Sequence, residues 1–161
     1  MDVHGHMSAL PVVEVEAMPR TTGAIRRILL ATDLSSASEK AAEEALELAR
    51  ALHADLLVVS VIDPTTRGPG PHVARMDQRR AAREAAAQAL VVRGRRAGVA
   101  VEFLVWEGEP GPAIIEAAEA ERADMLVVGT RGRSRVERMV LGSVSDHVVR
   151  HAPCPVLIVR A

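Results

Sequence analysis

The residues best suited to chemistry lie late in the chain, in the spacing Gly129-x2-Gly132-x9-Gly142-Ser143. Glycine lets backbone N–H groups approach an anion closely and adopt positive φ without steric cost. Ser143-Val-Ser-Asp146 carries a capping pattern that predicts a helix starting there. A helix start presents unpaired N–H groups and the positive end of a dipole. Together these predict an anion site to which Ser143 and Ser145 add hydroxyl donors. No Gly-Lys-Ser/Thr follows, so this is not a P-loop. The spacing and late position also exclude a dinucleotide fingerprint. Lys40 is the only lysine, so any phosphate contact must use arginine or backbone N–H groups.

The elements that must carry this turn alternate. Arg27–Thr32 is a short apolar run, read as the first strand, and Ser36-Ala-Ser-Glu39 is a capping box opening the first helix. Ala42, Ala45, Leu46, Ala49 and Leu52 fall on one face of that helix. Asp55–Ile62 is an apolar second strand, and Asp63–Pro71 a Pro/Gly loop. An Ala/Arg-rich helix runs from about Val73 to Arg96 with Ala82, Ala85, Ala89 and Val92 as its stripe, and Gly98 ends it. Strand Val99–Trp106, helix Ala113–Glu121, strand Asp124–Val128, helix Ser143–His151 and strand Pro155–Val159 complete the order. Strands separated by helices predict right-handed crossovers and an α/β fold. Continuous apolar strands fit a five-stranded parallel sheet with helices on both faces.

Edge logic then sorts the aspartates. His53-Ala-Asp-Leu-Leu-Val-Val echoes Arg122-Ala-Asp-Met-Leu-Val-Val, and each Asp enters a strand at its N-terminal edge. Ligands of open α/β sheets bind at the C-terminal edge. Asp55 and Asp124 are therefore read as structural, whereas Asp33, Asp63 and Gly129 lie at the productive edge.

Gly129-x2-Gly132-x9-Gly142-Ser143 and the ending Val144–Val159 together resemble the universal stress protein family, as do Ile28-Leu-Leu-Ala-Thr-Asp-Leu-Ser35 and Val58-Val-Ser-Val-Ile-Asp63. The resemblance spans about Arg26 to Arg160. It implies a Rossmann-like, adenine-nucleotide-binding domain over residues 24–161 that binds ATP, with or without Mg²⁺, and acts as a nucleotide-dependent regulator in stress response. Ala31, Thr32 and Asp33 would meet the adenosine, Asp33 accepting from a ribose hydroxyl, and Val61 would reach the adenine through its backbone. Val128, Gly129 and Gly132 would line ribose and phosphates. Gly142, Ser143, Val144 and Ser145 would hold the phosphate tail. Val156–Val159 would pair with the same strand of a second subunit, giving a homodimer and covering an exposed edge. The loop also carries Arg131, Arg133, Arg135 and Arg138. The default reading of most of this positive set is solvated; Arg131 or Arg133 is the candidate for a phosphate contact.

The bulk composition bounds the alternatives. The 161 residues suit one domain. A net charge of −1 offers nothing that draws the chain to nucleic acid or to an acidic membrane. Phe103 and Trp106 are the only aromatics, too few for stacking single-stranded bases. The apolar runs fall short of the roughly 20 residues that span a bilayer. Residues 1–23 read as a flexible extension without a secretory pattern, in which Gly5-His6-Met7 has the look of a cloning scar. A single cysteine, Cys154, fits a reducing, cytoplasmic setting. His147 and His151 have metal-ligand spacing but no third ligand, so no metal site is expected. Arg75, Arg79, Arg80 and Arg83 are read as a solvated helix face. Two other functions stay open: slow ATP hydrolysis, for which only Asp33 and Mg²⁺ are candidates and no dedicated base is visible, and a dimeric interaction module to which nucleotide is incidental.

Overall fold

The computed structural model describes residues 23–130 and 141–160. The strands are β1 (Arg27–Ala31), β2 (Asp55–Ile62), β3 (Val101–Glu107), β4 (Met125–Gly129) and β5 (Val156–Val159). The helices are α1 (Glu39–Leu52), α2 (His72–Arg96), α3 (Pro110–Ala120) and α4 (Ser143–His151). All strand pairs are parallel, in the order β3-β2-β1-β4-β5. The chain first builds outward from β1 to β3, then returns to the other side of β1 for β4 and β5. The order therefore reverses between β1 and β4, which opens a crevice above their C-terminal ends.

Alternation along each strand explains the unbroken apolar runs. Ile28, Leu30, Leu56, Val58 and Val127 face α1 and α2, where they meet Ala41, Ala42, Ala45, Leu46, Ala49 and Leu90. Their neighbours Leu29, Leu57, Val59, Leu126 and Val128 face the other way, toward Ile114, Ala117, Ala118 and Val148 of α3 and α4. With both faces covered, successive central strand positions are apolar rather than alternating with polar ones. Burying each of these large side chains stabilises the fold by about 1.5–3 kcal/mol.

Three local expectations need correction. The capping box at Ser36 does not form. Ser36–Ser38 is a 3-10 turn, α1 starts at Glu39, and the Ser38 hydroxyl donates to the Ser35 carbonyl instead. Leu52, expected on the buried face of α1, is exposed. The stripe of α2 is also displaced: its buried positions are Ala87, Leu90 and Gly94, while Ala85, Ala89 and Val92 face outward. The reason lies in Gly94. A Cβ there would stand 2.1 Å from Cγ2 of Val101, so the helix crosses β3 at its glycine, and that crossing sets the register of the whole face.

The internal echo is a repeated helix ending. His53 after α1 and Arg122 after α3 both take left-handed backbone, φ 54° and 52°. The next residue then bonds back into its helix, Ala54 N–H to Ala49 O at 2.9 Å and Ala123 N–H to Ala118 O at 3.0 Å. The following aspartates enter the strands on either side of β1, bonding to Arg26 O and Arg27 O, each at 2.8 Å. Asp124 does more. Its Oδ2 accepts the N–H groups of Arg26 and Arg27, both at 3.0 Å, which ties the start of β1 to β4. Beside it the Arg27 guanidinium pairs with Glu102 at 3.0 Å and Glu121 at 2.8 Å. Asp124 is structural, as its edge implies.

Candidate functional site

The C-terminal ends of β1, β2 and β4 open into a cavity of about 900 Å³. Ala31, Thr32 and Asp33 reach it from β1, and Val61 from β2. Val128 and Gly129 reach it from β4, and Gly142, Ser143, Val144 and Ser145 from the start of α4. Ten of the expected site residues thus converge on one cavity although more than 100 positions separate Ala31 from Ser145. Arg131 and Gly132 lie outside the described residues, as do Arg133, Arg135 and Arg138.

The turn after β1 is held by its own hydroxyls. Thr32 Oγ1 donates to Ser38 Oγ at 2.9 Å and accepts the Leu34 N–H at 3.0 Å. That bond holds Leu34 at φ 59°, a left-handed conformation unusual for a branched apolar residue. Asp33 Oδ1 accepts both the N–H and the Oγ–H of Ser35, at 2.9 and 2.6 Å. The carboxylate is thereby oriented at the cavity edge.

At the opposite wall Gly142 precedes α4 in extended backbone, φ −72° and ψ 166°, so positive φ is not why glycine is needed. Close approach is the reason: a Cβ on Gly142 would lie 3.2 Å from the Thr130 carbonyl oxygen, which its own N–H meets at 3.2 Å. The first N–H groups of α4 have no partner within the helix, a property of every helix start, and the dipole adds positive potential there. Ser145 departs from expectation. Its hydroxyl is buried and donates back to Gly142 O at 3.0 Å, so Ser145 can offer an anion its N–H but not its O–H.

Two cations missing from the sequence reading enter from α2. Arg79 and Arg83, expected on a solvated face, are half-buried and line the cavity. Arg79 Nη1 donates to Asp63 O at 3.1 Å. Arg83 Nη1 donates to Asp33 O and, at 3.0 Å, to Ser60 Oγ. No local signal singles them out: residues 79, 83, 87, 90 and 94 share one helical stripe, but only the contact of Gly94 with β3 shows that this face is the one turned inward. Asp63, also at this edge, accepts from Thr65 Oγ1 at 2.6 Å and from Thr65 N–H at 2.8 Å. These bonds, with the charge of Arg79, hold its carboxyl below the usual range.

A profile of the universal stress protein family matches residues 24–160. The chain belongs to the universal stress protein family. Within that family, a universal stress protein of Thermus aquaticus is 41% identical over 138 residues, covering 84% of this chain and 98% of that one. Among solved structures, a family protein from Burkholderia pseudomallei superposes with a TM-score of 0.73 at 29% identity, covering 88% of this chain and all of its own. A universal stress protein solved in complex with cAMP superposes at 0.64 with 30% identity, over 85% of this chain and 98% of that one. Adenine-nucleotide binding is therefore found on this fold at comparable identity.

His147 and His151 of α4 stack, their ring centroids 4.2 Å apart, with His151 Nδ1 2.9 Å from His147 O. The His147 ring rests on Gly111 of α3, where a Cβ would meet it at 2.8 Å. His147 thus serves the α3–α4 contact. Among the described residues no helix is long and apolar enough to cross a membrane.

Proposed function

We propose that this chain binds ATP in the cavity above β1 and β4 and acts as a nucleotide-dependent regulator in stress response. One observation carries the reading: the start of α4, opened by Gly142, faces the same cavity as Asp33 and Val61. An anion-attracting helix end and a carboxylate placed for hydroxyl groups suit the two ends of a nucleotide. In this reading the phosphates meet the N–H groups of Ser143, Val144 and Ser145. Asp33 accepts from the ribose, Ala31 and Thr32 border the adenosine, Val128 and Gly129 line the sugar, and Val61 presents its backbone to the base. Arg131 and Gly132 belong to the same glycine pattern and complete the phosphate side. Gly142 supports this reading because it lets the start of α4 pack close to the Thr130 carbonyl at the cavity wall.

Dimerisation through Val156–Val159 belongs to the same proposal. β5 lies at the edge of the sheet, and Leu157 is exposed on it. A cytoplasmic site of action fits a ligand that is an intracellular nucleotide. The test is calorimetric titration with ATP, ADP, AMP and cAMP. Saturable binding of ATP with a dissociation constant below millimolar is expected, and Gly142→Val is expected to weaken it at least tenfold. No heat of binding at millimolar ATP would overturn the reading.

A further inference from the structure

Only the C-terminal half of α2 is seated on the sheet, through Ala87, Leu90 and Gly94. Its N-terminal half is tied down by arginines. Arg79 donates to the main-chain carbonyl of Asp63, the residue after β2, at 3.1 Å. One turn further, Arg83 donates to the carbonyl of Asp33, beyond β1, and to Oγ of Ser60 at 3.0 Å. Residues four apart share a helix face, so one face of α2 grips the segments that follow two adjacent strands. Ser60 is completely buried within β2, which makes it a fixed anchor.

Asp33 is constrained twice. Its Oδ1 is held by Ser35 and its carbonyl by Arg83. A guanidinium donor makes a stronger bond to a carbonyl than a neutral group does. We infer that Arg83 is a positioning residue: by holding the Asp33 carbonyl against the buried Ser60 anchor, it aims the Asp33 carboxylate and so sets the preference for nucleotides with an intact ribose. This inference rests on the nucleotide reading above. Arg83 itself need not touch the ligand. Its effect travels through the backbone of Asp33, where a small displacement lengthens a carboxylate–hydroxyl bond past its useful range.

The experiment compares ATP with 2′,3′-dideoxy-ATP by calorimetry on the wild type and on Arg83→Met, at a temperature where melting curves show both folded. The wild type is expected to prefer ATP about tenfold, the scale of a hydrogen bond to a charged group. Arg83→Met is expected to cut that preference to about threefold or less, the affinity shared by the two nucleotides cancelling in the ratio. A merely structural role would weaken both ligands alike and leave the preference intact, and that result overturns the inference. So does a wild type that binds both equally. If the Met variant does not fold, Arg83→Lys carries the comparison. Its single ammonium lacks the reach of the guanidinium, so a reduced preference is expected, and a wild-type preference overturns the inference. A wild type that binds no ATP overturns the nucleotide reading and this inference with it, whereas ATP binding with an unchanged preference in the variants overturns this inference alone.

Discussion

Asp124 and Asp33 lie at opposite edges of the sheet, and exchanging each for a neutral residue should have opposite consequences. In Asp124→Ala the carboxylate oxygen that accepts the Arg26 and Arg27 N–H groups, each at 3.0 Å, is removed. A hydrogen bond to a charged group stabilises by roughly 1.5–3 kcal/mol. The Arg26 donor is exposed and recovers a water, whereas the Arg27 donor is partly buried and does so less well. The net loss is then about 2–4 kcal/mol. For a domain of this size each kcal/mol moves the melting temperature by roughly 2–4 °C, so a fall of about 5–15 °C is expected. Six residue steps of extended chain, roughly 20 Å, separate Arg27 from Asp33. ATP affinity of Asp124→Ala, measured well below its transition, should therefore stay within about twofold of wild type. Asp33→Ala should lose at least about tenfold in affinity while melting closer to wild type. Calorimetric titration and thermal melting of both variants provide the test. An Asp124→Ala protein that melts like wild type, or that loses ATP binding while folded, would refute the assignment of the two edges.

The remaining predictions concern packing, pH and the edge strand. Gly94→Ala forces a Cβ to within 2.1 Å of Val101 Cγ2, and overpacking of this kind costs about 1–3 kcal/mol; urea unfolding should show the loss, and Gly94→Ala/Val101→Ala should recover part of it. Gly111→Ala should cost less than Gly94→Ala, because its nearest contact, His147 Cγ at 2.8 Å, is less severe than the 2.1 Å approach to Val101 Cγ2. Asp63 has a lowered pKa in the folded state, owing first to the Thr65 hydroxyl and then to the Thr65 N–H, so its contribution is present above the unfolded carboxylate pKa and is lost as pH falls through the folded one. The Asp63 carboxyl should titrate by NMR below the ordinary value of about 3.9, and Thr65→Ala should move its midpoint up. Leu157→Asp should convert the dimer proposed through β5 to monomer in sedimentation, without lowering the melting temperature of the isolated subunit, since Leu157 is already exposed.

Much of the molecule was legible because its signals are local. β2 and α4 have the bounds that their apolar run and glycine-serine start imply. The echo of His53-Ala-Asp in Arg122-Ala-Asp marked two equivalent strand entries, which the left-handed backbone at both positions explains. The α2 stripe was not legible. In an Ala/Arg-rich helix several faces carry alanine, and hydropathy cannot choose among them when the buried positions are as small as Ala87 and Gly94. The capping box at Ser36 was misleading because Ser36–Ser38 closes as a 3-10 turn in which the Ser38 hydroxyl takes the Ser35 carbonyl.

By itself the sequence determined the alternation of strands and helices and the family, because these depend on short-range pattern and on the chemistry of single positions. Tertiary structure decided that Arg79 and Arg83 face the cavity rather than water. It also decided that Gly142 is required for close approach to Thr130, not for positive φ. Both outcomes depend on where one element crosses another: the contact of Gly94 with Val101 rotates α2, and the Thr130 carbonyl crowds the start of α4. No window of neighbouring residues contains that information, since the contacting atoms belong to segments that meet only when the sheet is assembled.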